Sequence, residues 1–198
     1  MEGIKTFHTL GVYPIGKKAE KKEDNYYDKH ELKDFLELAE QDMTPLWYTY
    51  FRLLAFTAMR KSEALAFTWA DVDFKRSLVT IDKTLTVGDG NVVAVGEPKT
   101  GSSMRIIYLD RKTVDILRSW RLEQNRYMSS IGYNPLNRDQ LIFATKSNTH
   151  FPLSNPNHRL NNLIKKHNLK KITVHGFRHT HCSMLLNQGL RSLRCRKG

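Results

Sequence analysis

Apolar positions recur at two different periods along this chain, and the period changes twice. Asp28 stands three residues ahead of Glu31, the arrangement of a capping box, and Leu32, Phe35, Leu36 and Ala39 follow at helical spacing. After Pro45 the set Trp47, Tyr50, Phe51 and Leu54 repeats that spacing, and "RKSEALAFTW" continues it as a second short helical piece. The middle of the chain changes to alternation. Val79, Ile81, Leu85 and Val87 fall on every second position of "SLVTIDKTLTV", "GDGN" reads as a turn, and "MRIIYL" is a further β-rich run. From Arg111 the helical period returns, with Ile116, Leu117, Trp120 and Tyr127 on one stripe. The loop "YNPLNRD", a short apolar piece "LIFAT" and the helix "NPNHRLNNLIKKHNL" with a basic outer face follow. The pattern predicts an α+β, mainly helical fold, a helical bundle carrying a small antiparallel sheet. No internal repeat interrupts it.

Residues 1–25 lack either period and pass into the charged run "KKAEKKED", so they read as a linker or arm. A length of 198 residues with 40% hydrophobic content suits one main domain with a sizeable core. The formal charge of +12 changes the picture of partners: a polyanion is expected. No apolar run approaches the roughly eighteen residues of a membrane span, so nucleic acid is favoured over a membrane. The two cysteines, Cys182 and Cys195, form no CxxC pattern, and the N-terminus lacks the apolar core of a signal peptide. An intracellular chain with reduced thiols and no metal is expected.

Four basic residues are candidates for chemistry. Arg60 lies in "TAMRKSEAL", Lys99 in "GEPKTGSSMR", and His175 and Arg178 stand three apart in "HGFRH", a spacing that puts an imidazole and a guanidinium on one helix face. Singly, each reads as an ordinary surface, turn or packing residue. His179 and His181 follow His175, but i, i+2 and i, i+6 spacings do not converge on one face and no carboxylate accompanies them, so a zinc site is not expected.

In their order and context, the segments resemble the catalytic domain of the tyrosine recombinase (phage integrase) family, particularly the integrases of phages and conjugative transposons. "TAMRKSEALAFTWADVDF" resembles the family's first arginine box, "EPKTGSSMRIIYLD" the hairpin that carries its lysine, and "HGFRHTHCSMLLNQG" its His-x-x-Arg-His box. The resemblance implies a catalytic domain over residues 26–190, incomplete, with a basic tail at 191–198. It implies DNA strand breakage and rejoining through a covalent phosphotyrosine intermediate, with double-stranded DNA as partner and full-length integrase protomers as possible companions. No cofactor is implied, and a bacterial or phage-encoded protein of the cytoplasm is. Arg60 and Arg178 are then the cations for the non-bridging oxygens of the transition state, because their planar forks match phosphate geometry. Lys99 is the implied general acid for the leaving 5′-hydroxyl, and His175 the base or hydrogen-bonding partner. Glu63, one turn after Arg60, is expected to orient that box.

The family's nucleophile is a tyrosine beyond the His-x-x-Arg box. The eight tyrosines of this sequence end at Tyr133, so Tyr127 and Tyr133 stand on the wrong side of the motif. The expectation is a catalytic-domain fragment that is inactive alone; the alternative is a non-catalytic DNA-binding or integrase-interfering protein.

Overall fold

The computed structural model describes residues 24–88, 93–96, 104–134 and 136–187. Helix α1 (Lys29–Asp42) starts at the capping box read from the sequence: Asp28 Oδ1 accepts from the backbone N–H groups of His30 and Glu31 at 2.8 and 2.9 Å, and Glu31 Oε2 accepts from Asp28 N at 2.7 Å. Helix α2 (Pro45–Thr57) is apolar almost all round because it is buried all round, packed against α1, against α4 (Arg111–Ser130) and against α6 (Gly176–Asn187). Its one buried charge, Arg52, is matched by Asp110 Oδ1 at 3.0 Å and by Thr113 Oγ1 at 3.1 Å. Tyr27, Phe35, Phe51 and Phe177 meet in a ring cluster that joins α1, α2 and α6, with centroids 5.1–6.0 Å apart.

Between α2 and α4 the described residues form the short helix α3 (Lys61–Leu65), a 3-10 turn (Trp69–Asp71) and five strands: β1 (Val72–Asp73), β2 (Leu78–Ile81), β3 (Thr84–Val87), β4 (Val93–Gly96) and β5 (Arg105–Tyr108). They form two antiparallel sheets, β1-β2-β5 and the hairpin β3-β4, where the alternation predicted one. The interruption is Lys83. Its ammonium turns to Asp71 Oδ1 at 2.5 Å and to Asp82 Oδ1 at 3.4 Å, which breaks the run between Ile81 and Thr84. Val79, Ile81 and Leu85 are buried as the alternation requires.

The stripe read on α4 needs a correction. The buried line runs through Val114, Leu117, Gln124 and Met128, whereas Tyr127 is exposed and its hydroxyl donates to Lys146 O at 3.1 Å. A buried polar residue drew the stripe away from the apolar reading: Gln124 accepts from Trp69 Nε1 at 2.6 Å and donates to Leu141 O at 2.8 Å. Helix α5 (Asn155–His167) buries Pro156, Leu160, Leu163 and Ile164, and its last turn reaches α1 through Lys166 to Asp42 at 2.8 Å and through His167 to the same carboxylate. Cys195, the second of the two cysteines, lies outside the described residues. Among the described residues no helix is long and apolar enough to cross a membrane.

Candidate active site

Helix α2 ends at Ala58, a non-glycine residue in the left-handed region (φ 52°). That turn leads the chain through buried Met59 and delivers Arg60 to the N-cap of α3, with extended backbone and a side chain 46% exposed. Glu63 lies beneath it, 1% exposed. Its Oε2 accepts from Arg60 N at 2.8 Å and its Oε1 from Arg60 Nη1 at 2.8 Å, so the carboxylate both caps α3 and fixes the guanidinium.

Glu63 holds a second arginine that the sequence reading passed over. Arg105, the first residue of β5, donates Nη2 to Glu63 Oε2 at 2.8 Å and Nη1 to Oε1 at 3.3 Å. The only signal in the sequence is alternation: in "MRIIYL", Ile106 and Tyr108 are exposed while Arg105 and Ile107 turn inward. The Ala58 carbonyl completes the arrangement, accepting from Arg178 Nη1 at 2.8 Å and, at longer range, from Arg105 Nη2 at 3.4 Å. Among the described residues, three guanidinium groups thus gather at one carboxylate and one carbonyl.

His175 stands in the turn that enters α6, and Arg178 N donates back to His175 O at 3.0 Å. His175 and His179, four apart, do share a face, and their rings meet edge to face at 4.9 Å; the spacing argument had compared the wrong pairs. His181 points the other way and donates Nδ1–H to Ala55 O at 3.1 Å. Arg60, His175 and Arg178 therefore lie near one another. Lys99 lies outside the described residues. The strands on either side of it are nevertheless fastened to α3: Gly96 pairs with Thr84, whose Oγ1 donates to Ser62 Oγ at 2.9 Å, and Arg105 is bound to Glu63.

The electrostatics follow from this crowding. Burial pushes the Glu63 carboxyl up, but the hydrogen bonds from Arg105 and from Arg60 outweigh it and hold the group below the usual range, so it stays ionised. Partial burial, then the neighbouring His179, Arg178 and Arg60, lower His175, which favours its neutral form at pH 7. Burial, then the charges of Arg60 and Arg105, lower Arg178, against the opposing pull of Glu63. Beside the cluster a cleft of about 600 Å³ opens, lined by Arg60, Lys61, Ser62, Asn157, Lys171 and His175 among others. Such an arrangement binds an oxyanion: fixed guanidinium forks, a neutral imidazole and flanking lysines, with the carboxylate turned inward as a scaffold. Among the described residues no group of three His, Cys, Asp or Glu side chains converges as a metal site.

A sequence-family comparison matches residues 25–194 to the phage integrase family. The chain belongs to that family. This integrase chain is 29% identical over 169 residues to the ICEBs1 integrase of Bacillus subtilis (strain 168), covering 85% of this chain and 45% of that protein. It is 31% identical over 153 residues to the integrase of Staphylococcus phage L54a, covering 73% of this chain and 42% of that protein. The chain thus spans less than half the length of these relatives. Among solved structures, the Tn1549 transposon integrase in complex with a circular intermediate DNA superposes with a TM-score of 0.71 at 20% identity, over 87% of this chain and 56% of that chain. XerA recombinase superposes with a TM-score of 0.62 at 24% identity, over 83% and 51%. These likenesses support the fold, mainly helical with small antiparallel sheets.

Proposed function

We propose that the chain carries the phosphate-binding half of an active site for site-specific DNA recombination, in which a strand is broken and rejoined through a phosphotyrosine. The observation that carries this reading is that Arg60 is held on the Glu63 carboxylate and Arg178 on the Ala58 carbonyl, with His175 within electrostatic reach of both and lining the same cleft as Arg60. In the proposed step a tyrosine oxygen attacks the scissile phosphorus and the bond from phosphorus to the 5′-oxygen breaks. The added charge on the non-bridging oxygens falls to Arg60 and Arg178, and a proton passes to the leaving 5′-oxygen, the role assigned to Lys99. His175 accepts or shares the proton of the attacking hydroxyl. The ester conserves the energy of the broken bond for rejoining, so the step draws on no cofactor. The partner is double-stranded DNA in the bacterial cytoplasm, a reading supported by relatives named as integrases and by a structural neighbour solved on a circular intermediate DNA.

A second reading rests on the cleft: among the described residues no tyrosine lines it. The chain then occupies DNA, or pairs with a full-length integrase, without cutting. Both readings require the cluster to meet phosphate. The test follows the arginine side-chain N–H and His175 ring signals by NMR while a duplex oligonucleotide is added. Arg60, Arg178 and His175 are expected to shift, and to shift less as salt is raised. Perturbations confined to another face would overturn the assignment.

A further inference from the structure

Asn25 is far from the cation cluster in sequence and close to it in the fold. Its carboxamide makes a two-point contact with Thr173: Nδ2 donates to Thr173 Oγ1 at 2.9 Å, and Oδ1 accepts from Thr173 N at 2.7 Å. Thr173 in turn receives Gly176 N on both its oxygens, at 2.8 Å on the carbonyl and 3.2 Å on Oγ1. His175 sits inside that turn. Two residues further along, Tyr27 N donates to Thr180 Oγ1 at 2.9 Å, and Thr180 Oγ1 donates to Gly176 O at 3.0 Å. The contact is also close enough to forbid a side chain: a Cβ on residue 176 would stand 2.7 Å from Asn25 O and 3.0 Å from Asn25 Oδ1. The glycine between His175 and Arg178 is therefore required by the segment that lies against it, and not by its own backbone angles, which α6 accommodates.

We propose that Asn25 is a positioning residue: through Thr173 and Gly176 it fixes the turn that presents His175 and the first turn of α6 that presents Arg178. The proposal rests on the phosphate-site reading above. Asn25 is not among the residues lining the cleft, whereas Thr173 is, so Asn25→Ala is the variant that separates positioning from a direct contact with phosphate. Without the clasp, the entry to α6 loses the bonds that hold residue 173 to residue 25, and His175 is free to turn away from Arg178 and Arg60. The sequence gives no hint of this link, because its two ends are 148 residues apart.

The test uses the full chain and two readouts: the His175 titration followed by NMR, and its response to inorganic phosphate. Wild type should titrate below an ordinary histidine and shift on adding phosphate. Asn25→Ala and Thr173→Val should move the His175 midpoint up towards the ordinary value and weaken phosphate on the order of tenfold, as loss of supporting contacts does around other charged sites. Thr173→Ser, which keeps the hydroxyl, should restore both. Gly176→Ala should mimic Asn25→Ala if it folds; the other variants carry the test if it does not. A drop in melting temperature with His175 midpoint and phosphate affinity unchanged in Asn25→Ala and Thr173→Val overturns the positioning role and leaves the phosphate site standing. A wild-type His175 that ignores phosphate overturns the phosphate-site reading, and the positioning role with it.

Discussion

Replacing Glu63 by Gln removes the charge that organises the site while keeping its shape. In the folded chain the carboxylate is 1% exposed and takes three side-chain hydrogen bonds, one from Arg60 and two from Arg105, besides capping Arg60 N. A glutamine keeps one acceptor oxygen but sets an amide NH2 against a guanidinium, and Arg60 and Arg105 lose the carboxylate they share. Breaking one partner of a fully buried pair typically costs about 3–5 kcal/mol. Here the Arg60 and Arg105 side chains are 46% and 24% exposed and regain water, so the cost falls to about 2–3 kcal/mol. For a domain of this size that is a loss of roughly 4–12 °C in melting temperature, read by circular dichroism. Because the freed cations then seek an anion, added phosphate should stabilise Glu63→Gln more than wild type. A variant melting within about 1 °C of wild type, with no extra response to phosphate, would refute the assignment of Glu63 as the scaffold of the cluster.

Binding to duplex DNA should be largely independent of sequence and fall steeply between two salt concentrations in an anisotropy titration, as expected for a +12 chain meeting phosphates; an affinity that hardly moves with salt argues against that interface. Arg60→Lys and Arg178→Lys should each cost on the order of a hundredfold in any strand cleavage that depends on this chain, since an ammonium cannot reproduce the fork, and Arg178→Lys also gives up the bond to the Ala58 carbonyl. Acid should destabilise the fold in two stages. His150, His175 and His181 all titrate below the ordinary 6.5 in the folded chain, so the unfolded chain takes up protons first and stability falls as pH drops below about 6.5. The Glu63 carboxyl is held below the ordinary 4.5, so its contribution, complete above that value, is lost at still lower pH as the folded group protonates. Melting curves at neutral pH, between 5 and 6, and near 4 check both stages, and a fold most stable at pH 5 contradicts them.

The capping box at Asp28 and Glu31, the all-apolar α2 and the burial of Val79, Ile81 and Leu85 were legible because each is a local signal with a fixed period. Arg60, His175 and Arg178, singled out through the order of three motifs, lie near one another in the fold. What escaped was every contact made by a polar side chain across the fold. Lys83 splits one run of alternation into two sheets because Asp71 is there to receive it, and Gln124 bends the buried line of α4 because Trp69 needs an acceptor. Arg105 read as one more residue of a strand, since its partner Glu63 lies 42 positions earlier. Asn25 sat at the edge of an arm with no period at all, yet it binds the turn that holds His175.

Covalent trapping on a nicked DNA substrate tests the central claim most directly. The chain should form no protein–DNA adduct alone. Mixed with a tyrosine-bearing integrase whose own pair of clamp arginines has been replaced, it should restore the adduct on the tyrosine of that partner, and the restored yield should vanish with Arg60→Ala or Arg178→Ala in this chain. An adduct on the unmixed chain would place the nucleophile among its own residues, and an adduct in the mixture that survives loss of both arginines would show that the cluster at Ala58 and Glu63 is not where the scissile phosphate binds.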